Sequence, residues 1–245
     1  SLNYNYKGTS VKSRTDYEYD VSDTLIKTTT RRGALATDSK ISETFYKGPA
    51  GEEKADYSLN YAYNGTDVKS RTDYEYDALD VLIKTTTRRG AVITGSKMSE
   101  TFYKGPQGEE KADYSLNYAY NGTTIKSRTD YEYDAAGVLI KTTTRRGALI
   151  TDSKISETFY KGPEGEEKAD YSLNYNFKGT DVKSRTDYEY ATDDSLTKTT
   201  TRRGALITGS KISETFYKGP EGEEKADYSL NYNFKGTTVK SRTDY

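Results

Sequence analysis

The sequence predicts an all-β fold: a tandem-repeat antiparallel β-meander, an elongated and twisted or coiled sheet with four strands in each 57-residue repeat. One observation is the return of the string SLNY at a constant spacing, which is typical of repeat proteins. Another is the composition, because only 32% of the 245 residues are apolar while 25 are tyrosines and Thr, Val and Ile are frequent. The third is a set of turn motifs that separate runs of alternating residues.

The repeats organise the whole chain. SLNY begins at five positions: Ser1, Ser58, Ser115, Ser172 and Ser229. We therefore assign five successive segments: repeat 1 (1–57), repeat 2 (58–114), repeat 3 (115–171), repeat 4 (172–228) and partial repeat 5 (229–245). Repeats 2 and 4 differ at 11 of 57 positions, without insertions. This regularity predicts that every repeat makes the same contacts with its neighbours.

The first turn of each repeat contains a glycine. In repeat 2 it reads Asn64-Gly65, which is typical of a two-residue type I′ hairpin because both central residues need a positive φ. The signal is weaker in three copies: Lys7-Gly8, Lys178-Gly179 and Lys235-Gly236. A two-residue loop places four pairs on one aromatic and hydroxyl-rich face: Tyr63 with Thr66, Tyr61 with Val68, Leu59 with Ser70 and Tyr57 with Thr72. The charged residues from Lys69 to Glu75 then lie on the opposite face.

The second turn carries Asp or Gly at one position in the four copies: Asp23, Asp80, Gly137 and Asp194. These residue types tolerate the left-handed conformation that follows a type I turn. A three-residue loop of this kind predicts that Tyr76 lies opposite Leu82. The next segment, RRGAVITGSK, fits either a hairpin or a bulged bend.

The fourth turn, KGPQGE, contains a proline and two glycines. We expect it to pair Phe102 with Ala112 and Lys104 with Glu110, an opposite-charge pair. With a final hairpin from the last 17 residues, the chain would contain about 18 strands and, if flat, run roughly 85 Å at about 4.8 Å per strand. Neither face is apolar enough for a thick core, so we expect a thin, half-buried tyrosine layer in a twisted sheet.

The composition limits the functions that the chain can perform. It lacks Cys and His, so thiol nucleophiles, imidazole bases and the usual zinc ligands are absent. The 37 basic and 38 acidic residues leave a net charge of -1, so no overall field attracts the chain to nucleic acid or to an anionic membrane, and we predict no nucleic-acid partner. No apolar run approaches the roughly 18 residues of a membrane span. Without an initiator Met or a signal peptide, the chain is expected to be a segment of a longer protein.

A short segment resembles the YD repeat of the RHS and teneurin family. The string YEYDAAGVLIK matches the pattern Tyr-x-Tyr-Asp-x-x-Gly-x-Leu at five positions: Tyr131, Tyr133, Asp134, Gly137 and Leu139. The copies at Tyr17 and Tyr74 have Asp in place of the glycine, and the copy at Tyr188 has Ala191 in place of the motif Asp. The match covers about ten residues of each repeat. The resemblance implies hairpins, an extracellular setting, and a spiral β-sheet shell such as that family forms.

Several residues invite a functional interpretation. Strand alternation places Asp73, Glu75 and Asp77 on one face, where their carboxylates could bind Ca²⁺, but we favour a solvated face balanced by Lys69 and Arg71. We therefore predict no metal, catalytic or cofactor-binding residues and no cofactor. A repeated, exposed strand face offers no enclosed pocket that would perturb carboxylate pKa values for catalysis.

Repeated polar motifs have similar competing interpretations. The TTT runs resemble a hydroxyl array of the ice-binding kind, but threonine is simply a good strand residue, which we favour. The RRG arginines, such as Arg88, suit phosphates or acidic polysaccharide, but nearby carboxylates favour intramolecular pairing. Asn64 and Asn121 begin glycosylation sequons that the turn already explains. The tyrosine rows suit either glycan stacking or cross-strand packing.

These considerations predict a non-enzymatic structural repeat segment of a large extracellular or cell-surface protein, such as a stalk, fibre or matrix element. Its expected partner is another copy of itself, through end-to-end or lateral assembly. The alternatives are a multivalent glycan or cell-wall binding module and an RHS-like shell segment.

Overall fold

The computed structural model describes residues 1–4 and 8–245, and within these ranges it contains strands and turns but no helix. The described strands, in chain order, are β1 (Leu2–Tyr4), β2 (Val11–Tyr19), β3 (Leu25–Arg32), β4 (Lys40–Lys47), β5 (Lys54–Tyr61), β6 (Val68–Tyr76), β7 (Leu82–Arg89), β8 (Lys97–Lys104), β9 (Lys111–Tyr118), β10 (Ile125–Tyr133), β11 (Leu139–Arg146), β12 (Lys154–Lys161), β13 (Lys168–Tyr175), β14 (Val182–Tyr190), β15 (Leu196–Arg203), β16 (Lys211–Lys218), β17 (Lys225–Tyr232) and β18 (Val239–Asp244). The predicted all-β meander with four strands per repeat is confirmed, including the final hairpin. The predicted turn at Lys7-Gly8 begins at Lys7, outside the described residues.

Each of four strand types recurs every 57 residues. Type A reads KADYSLNY (β5, β9, β13, β17), type B reads VKSRTDYEY (β6), type C reads LIKTTTRR (β7) and type D reads KMSETFYK (β8), with small changes between copies. The loops between them are called here A–B, B–C, C–D and D–A. The strands form two compact units, residues 1–126 and 127–245, and successive strands within each unit pair antiparallel. The assignment of the five repeats as domains stays a prediction.

The B–C loop has the geometry that its sequence predicts. Asp80 has a φ of 63°, and its amide donates to the carbonyl of Asp77 at 3.1 Å. Glycine takes the same position in repeat 3, where Gly137 has a φ of 83°. Tyr76 lies opposite Leu82 as expected. The prediction succeeds because a three-residue loop is specified by local turn chemistry alone.

The A–B loop is longer than predicted. Of the residue pair Asn64-Gly65, only Gly65 has a positive φ, 73°, and its amide donates to the carbonyl of Ala62. The amide of Ala62 in turn donates to the carbonyl of Asp67 at 2.7 Å, which closes a four-residue loop built on a type I turn. Asn64 accepts hydrogen bonds from following backbone amides instead of adopting a left-handed conformation.

Each strand pair contains a β-bulge, and the bulges make the predicted registers after the A–B loop and after the D–A loop wrong. At the A–B loop Tyr61 pairs with Val68 as expected, but Lys69 has no partner in the register. The other three predicted pairs are therefore wrong: Tyr57 lies opposite Asp73, Leu59 lies opposite Arg71, and Tyr63 lies in the loop. After the proline turn, Phe102 lies opposite Tyr114, Tyr103 opposite Ala112, and Lys104 opposite Lys111. Bulges of this kind follow type I hairpin loops because they restore the strand twist, and each one moves every later side chain to the other face.

The bulges create a charged face and a hydroxyl face, which replace the aromatic and charged faces expected from the sequence. On strands β5 to β8 the charged face combines Tyr57 and Leu59 with Arg71, Asp73, Lys84, Thr86, Glu100 and Phe102. The hydroxyl face combines Ser58, Ser70, Thr72, Thr85, Thr87 and Thr101. The C–D segment forms a hairpin whose second strand carries a bulge at Met98, so it has both of the predicted features.

The buried side chains of the described residues are polar, and none is apolar. Thr86 is 1% exposed and Glu100 is 7% exposed, whereas the neighbouring strand tyrosines are half-buried. The sheet is therefore stabilised by cross-strand contacts of long side chains that cover short ones, in place of a hydrophobic core. The expected thin layer is observed, but its most buried groups are hydroxyls and carboxylates.

Candidate functional site

Asp73 is the centre of an ion cluster on the charged face. Its carboxylate oxygens lie 2.6 Å from Nε of Arg71 and 3.6 Å from Nε of Arg88. The guanidinium of Arg71 also lies 3.7 Å from the centre of the Tyr57 ring, within the range of a cation–π contact. The bulge at Lys69 explains the cluster, because it brings these residues to one face. Arg88 is the first arginine of an RRG motif, and it pairs within the chain as expected.

Glu100 forms a second cluster on the same face. Its carboxylate accepts a hydrogen bond from Nζ of Lys97 at 2.7 Å and another from the hydroxyl of Tyr118. Burial alone would raise the pKa of Glu100, but the hydrogen bonds from Lys97 and Tyr118 outweigh it and lower that pKa. Burial and the hydrogen bond to Glu100 raise the pKa of Tyr118 to about 12. Glu100 and Tyr118 belong to successive repeats, so this cluster joins repeat 2 to repeat 3.

The same carboxylate and tyrosine meet at every junction between repeats. The pairs are Glu43 with Tyr61, Glu100 with Tyr118, Glu157 with Tyr175 and Glu214 with Tyr232. In each case a lysine three residues before the glutamate completes the cluster. The junction is therefore built from a constant set of polar contacts, which sequence reasoning missed because Glu and Tyr lie 18 residues apart.

The second arginine of each RRG motif makes a different junction contact. The guanidinium of Arg89 lies 4.5 Å from the centre of the Tyr120 ring in the A–B loop of the next repeat. The full set is Arg32 with Tyr63, Arg89 with Tyr120, Arg146 with Phe177 and Arg203 with Phe234. Close contact of the two loops requires glycine, since a Cβ at Gly122 would lie 2.6 Å from the backbone nitrogen of Lys97. The retention of an aromatic residue at this loop position was the available sequence signal.

The threonines of the TTT runs divide between the two faces. Thr86 points to the charged face and is almost completely buried. On the hydroxyl face, Thr87 is 2.9 Å from the hydroxyl oxygen of Thr72, and Thr85 is 3.3 Å from that of Tyr103. Thr85 and Thr87 therefore have cross-strand hydrogen-bond partners, whereas the buried hydroxyl of Thr86 has none among the described residues. All three are strand residues, which is the interpretation favoured from the sequence.

The carboxylates considered for Ca²⁺ are separated. Asp73 is paired with arginines, and Glu75 lies 2.8 Å from Nζ of Lys84. Asp77 lies in the B–C loop, where Oδ1 accepts hydrogen bonds from the amides of Leu79 and Val81. Across residues 1–4 and 8–245 no group of three acidic, His or Cys side chains is placed to hold a metal ion. Asp77 is therefore a turn residue.

Repeat 4 shows how this turn role is kept when the aspartate changes. Ala191 occupies the position of Asp77, and Asp193 supplies the missing acceptor. Its Oδ1 accepts a hydrogen bond from the hydroxyl of Ser195 at 2.7 Å. The hydroxyl and backbone amide of Ser195 lower the pKa of Asp193.

The two margins of the sheet differ in chemistry within each unit. We call the margin formed by the A–B and C–D loops the crest margin, and the margin formed by the B–C and D–A loops the acidic margin. The crest margin carries exposed rings and aliphatic side chains, of which Tyr63 is 84% and Phe177 80% exposed. The acidic margin carries the GPxGEE loops and the aspartates of the B–C loops. Asn64 and Asn121 of the sequons lie in crest-margin loops and bond to following backbone amides.

Comparisons with known proteins found similarity only at the level of coarse structure. No family model matches, and no curated protein matches by sequence. Among solved structures, a crystal structure of TcdB2-TccC3 aligns with 97% of this chain and 15% of its own, at 12% identity and a TM-score of 0.34. A porin-like protein from Bacteroides uniformis aligns over 91% of this chain and 89% of its own, at 10% identity and a TM-score of 0.35.

A structure of the Photorhabdus luminescens Tc holotoxin pore aligns over 91% of this chain and 16% of its own, at 13% identity and a TM-score of 0.19. These TM-scores are too low to assign the chain to the family of any of these proteins. None of the described residues belongs to a helix that could span a membrane.

Proposed function

We propose that this chain is a non-enzymatic structural repeat segment of a large extracellular or cell-surface protein, acting as a stalk, fibre or matrix element. The observation that carries the proposal is the constant junction, in which a Glu–Tyr–Lys cluster and an arginine–aromatic stack recur at 57-residue intervals. A junction that accepts any copy of the repeat allows length to grow without new chemistry. Conversely, the carboxylates with lowered pKa values are bonded to lysines, hydroxyls or backbone amides, which suits a structural role.

The acidic margin supplies further support through contacts between successive repeats. Tyr76 donates a hydrogen bond from its hydroxyl to the carbonyl of Ala55 at 3.0 Å, and Lys54 is paired with Asp80. In the second unit the matching contacts are Tyr190 with Ala169 and Lys168 with Asp194. Successive repeats are thus bonded at both ends of the strands, which supports a structural role.

The proposal is tested by inserting one more copy of residues 172–228 between repeats 4 and 5. In a stalk, the new repeat should add about 19 Å to the maximum dimension measured by X-ray scattering, which is four strands at about 4.8 Å. The strand signal in circular dichroism should rise in proportion. A Gly/Ser insertion of equal length is the control, because it lengthens the chain without adding strands. A chain that keeps its dimension, or that unfolds on insertion, would contradict the proposal.

A multivalent glycan or cell-wall binding module is the second candidate. The strand tyrosines contribute little to it, because rings such as Tyr57 are stacked on Phe45 at 4.4 Å and contacted by an arginine. The exposed crest-margin rings at Tyr63, Tyr120, Phe177 and Phe234 are the groups that suit sugar stacking. Binding on a glycan array that disappears when these four rings are replaced by alanine would support this function, and an array without any ligand would reject it.

An RHS-like shell segment is the third candidate, and it rests on the YD-type B–C loops. The scattering experiment also tests it, because a shell gives the profile of a hollow particle and a stalk that of a rod. Hollow-particle scattering from the natural chain would favour the shell.

A further inference from the structure

Exposed apolar side chains are concentrated on the crest margin. The second unit has two such groups, and each consists of two aliphatic residues of a C–D loop and the aromatic residue of the adjacent A–B loop. The groups are Leu149, Ile150 and Phe177, and Leu206, Ile207 and Phe234. Their exposed fractions range from 61% to 80%. In the first unit Val92, Ile93 and Tyr120 form the same group. Adjacent apolar residues at loop tips are unusual on a surface that is otherwise charged.

The loops hold these residues in place before any partner binds. The side chain of Asp152 accepts a hydrogen bond from the amide of Leu149 at 2.7 Å, and the amide of Asp152 donates to the carbonyl of Leu149. The ring of Phe177 rests on the guanidinium of Arg146, 4.6 Å from the ring centre. In the loop of Leu206, Gly209 replaces Asp152, so only the backbone bond to the carbonyl of Leu206 remains, at 2.9 Å, and Phe234 lies 4.6 Å from the guanidinium of Arg203. These bonds leave the apolar side chains in solvent.

The charge around these residues differs in sign between the two margins of the sheet. Exposed lysines lie on the crest margin of the second unit, namely Lys178, Lys183, Lys235 and Lys240, and Asp181 is the exposed acid among them. The opposite margin exposes the acids Glu164, Glu166, Asp193, Asp194 and Glu221 and also the lysines Lys161, Lys218 and Lys225, so acidic side chains outnumber lysines there. Strands such as β13 and β15, which run between the margins, have eight residues, so at about 3.3 Å per residue the charges lie roughly 26 Å apart. This separation orients the crest margin toward a negatively charged surface.

We propose that the crest margin docks on the surface of an anionic lipid bilayer. The aliphatic pairs enter the boundary between headgroups and acyl chains, the rings lie at headgroup depth, and the lysines approach lipid phosphates. Anionic lipid fits better than a sugar, because paired aliphatic side chains do not stack on sugar rings. It also fits better than the crest margin of a second copy, since that arrangement would bring lysines together. The repetition of the groups makes the attachment multivalent.

The test is sedimentation of the full chain with lipid vesicles. Vesicles of phosphatidylcholine with about 30% phosphatidylserine should bind the chain at least about tenfold more strongly than phosphatidylcholine alone, and added salt should weaken the binding. The variant L149S/I150S/L206S/I207S removes both aliphatic pairs of the second unit and should lower partitioning about tenfold or more. The control V21S/L79S removes two exposed apolar residues of the acidic margin, 105% and 77% exposed, and should bind as the natural chain does.

Circular dichroism of each variant separates loss of binding from loss of structure. Failure of the natural chain to sediment with either vesicle type would overturn the proposal. So would equal binding by the natural chain and a folded quadruple variant. If the quadruple variant unfolds, K178E/K235E replaces it. Reversing the charge of these two exposed loop lysines should weaken binding to anionic vesicles.

Discussion

Replacement of Gly122 by alanine should destabilise the protein far more than replacement of Gly108. Both glycines are left-handed, with φ of 73° and 82°, so both variants carry a backbone cost of about 1–2 kcal/mol. They differ in what the new methyl group meets. At Gly122 it would lie 2.6 Å from the backbone nitrogen of Lys97 and 2.7 Å from Cβ of Ser96, whereas at Gly108 no atom lies within 4 Å.

The clash at Gly122 adds an overpacking cost of about 1–3 kcal/mol, since the neighbouring group is backbone that cannot rotate away. We therefore expect the free energy of unfolding to fall by about 1–2 kcal/mol in G108A and by about 2–5 kcal/mol in G122A. Urea unfolding followed by circular dichroism measures both, and hydrogen exchange of the A–B loop amides locates the effect. Equal destabilisation of the two variants would refute the close contact between loops of successive repeats.

Two further outcomes concern the junction clusters. The pKa of Glu100 is lowered in the fold, so the stability that its carboxylate contributes is present above its unfolded pKa of about 4.5 and is lost as the pH falls through the lower folded pKa. E100Q should therefore flatten the acid limb of a plot of unfolding free energy against pH. An unchanged acid limb would argue against the cluster. R89A should lower the free energy of unfolding by about 0.5–2 kcal/mol, because the stack on Tyr120 is lost, and R89K should retain part of that stabilisation. Urea unfolding measures both variants. An R89A midpoint equal to that of the natural chain would show that the stack is not stabilising.

Features that depend on a few consecutive residues could be predicted from the sequence. The B–C loop is the best example, since Asp80 and Gly137 adopt the left-handed conformation expected from the turn chemistry. The pairing of Tyr76 with Leu82 follows directly from that loop. The number of strands per repeat was also accessible, because turn motifs divide a constant period into four runs.

Register beyond a bulge could not be predicted in this way. No residue type at Lys69 marks the bulge in the sequence. The bulge forms because the four-residue A–B loop must match the twist of both strands. This single step decides that Tyr57 meets Arg71 and Asp73, and not the hydroxyl row expected from strict alternation. The same step at Met98 brings Lys97 and Glu100 to one face.

The all-β repeat meander, its period, its strand number and the conformation of its three-residue loops follow from the sequence, because they depend on local chemistry and on repetition. The folded structure shows which side chains share a face, which arginine binds a carboxylate and which one stacks on a ring. It also places exposed apolar residues of loops about 30 positions apart on one margin, because antiparallel strands bring alternate loops to the same end of the sheet.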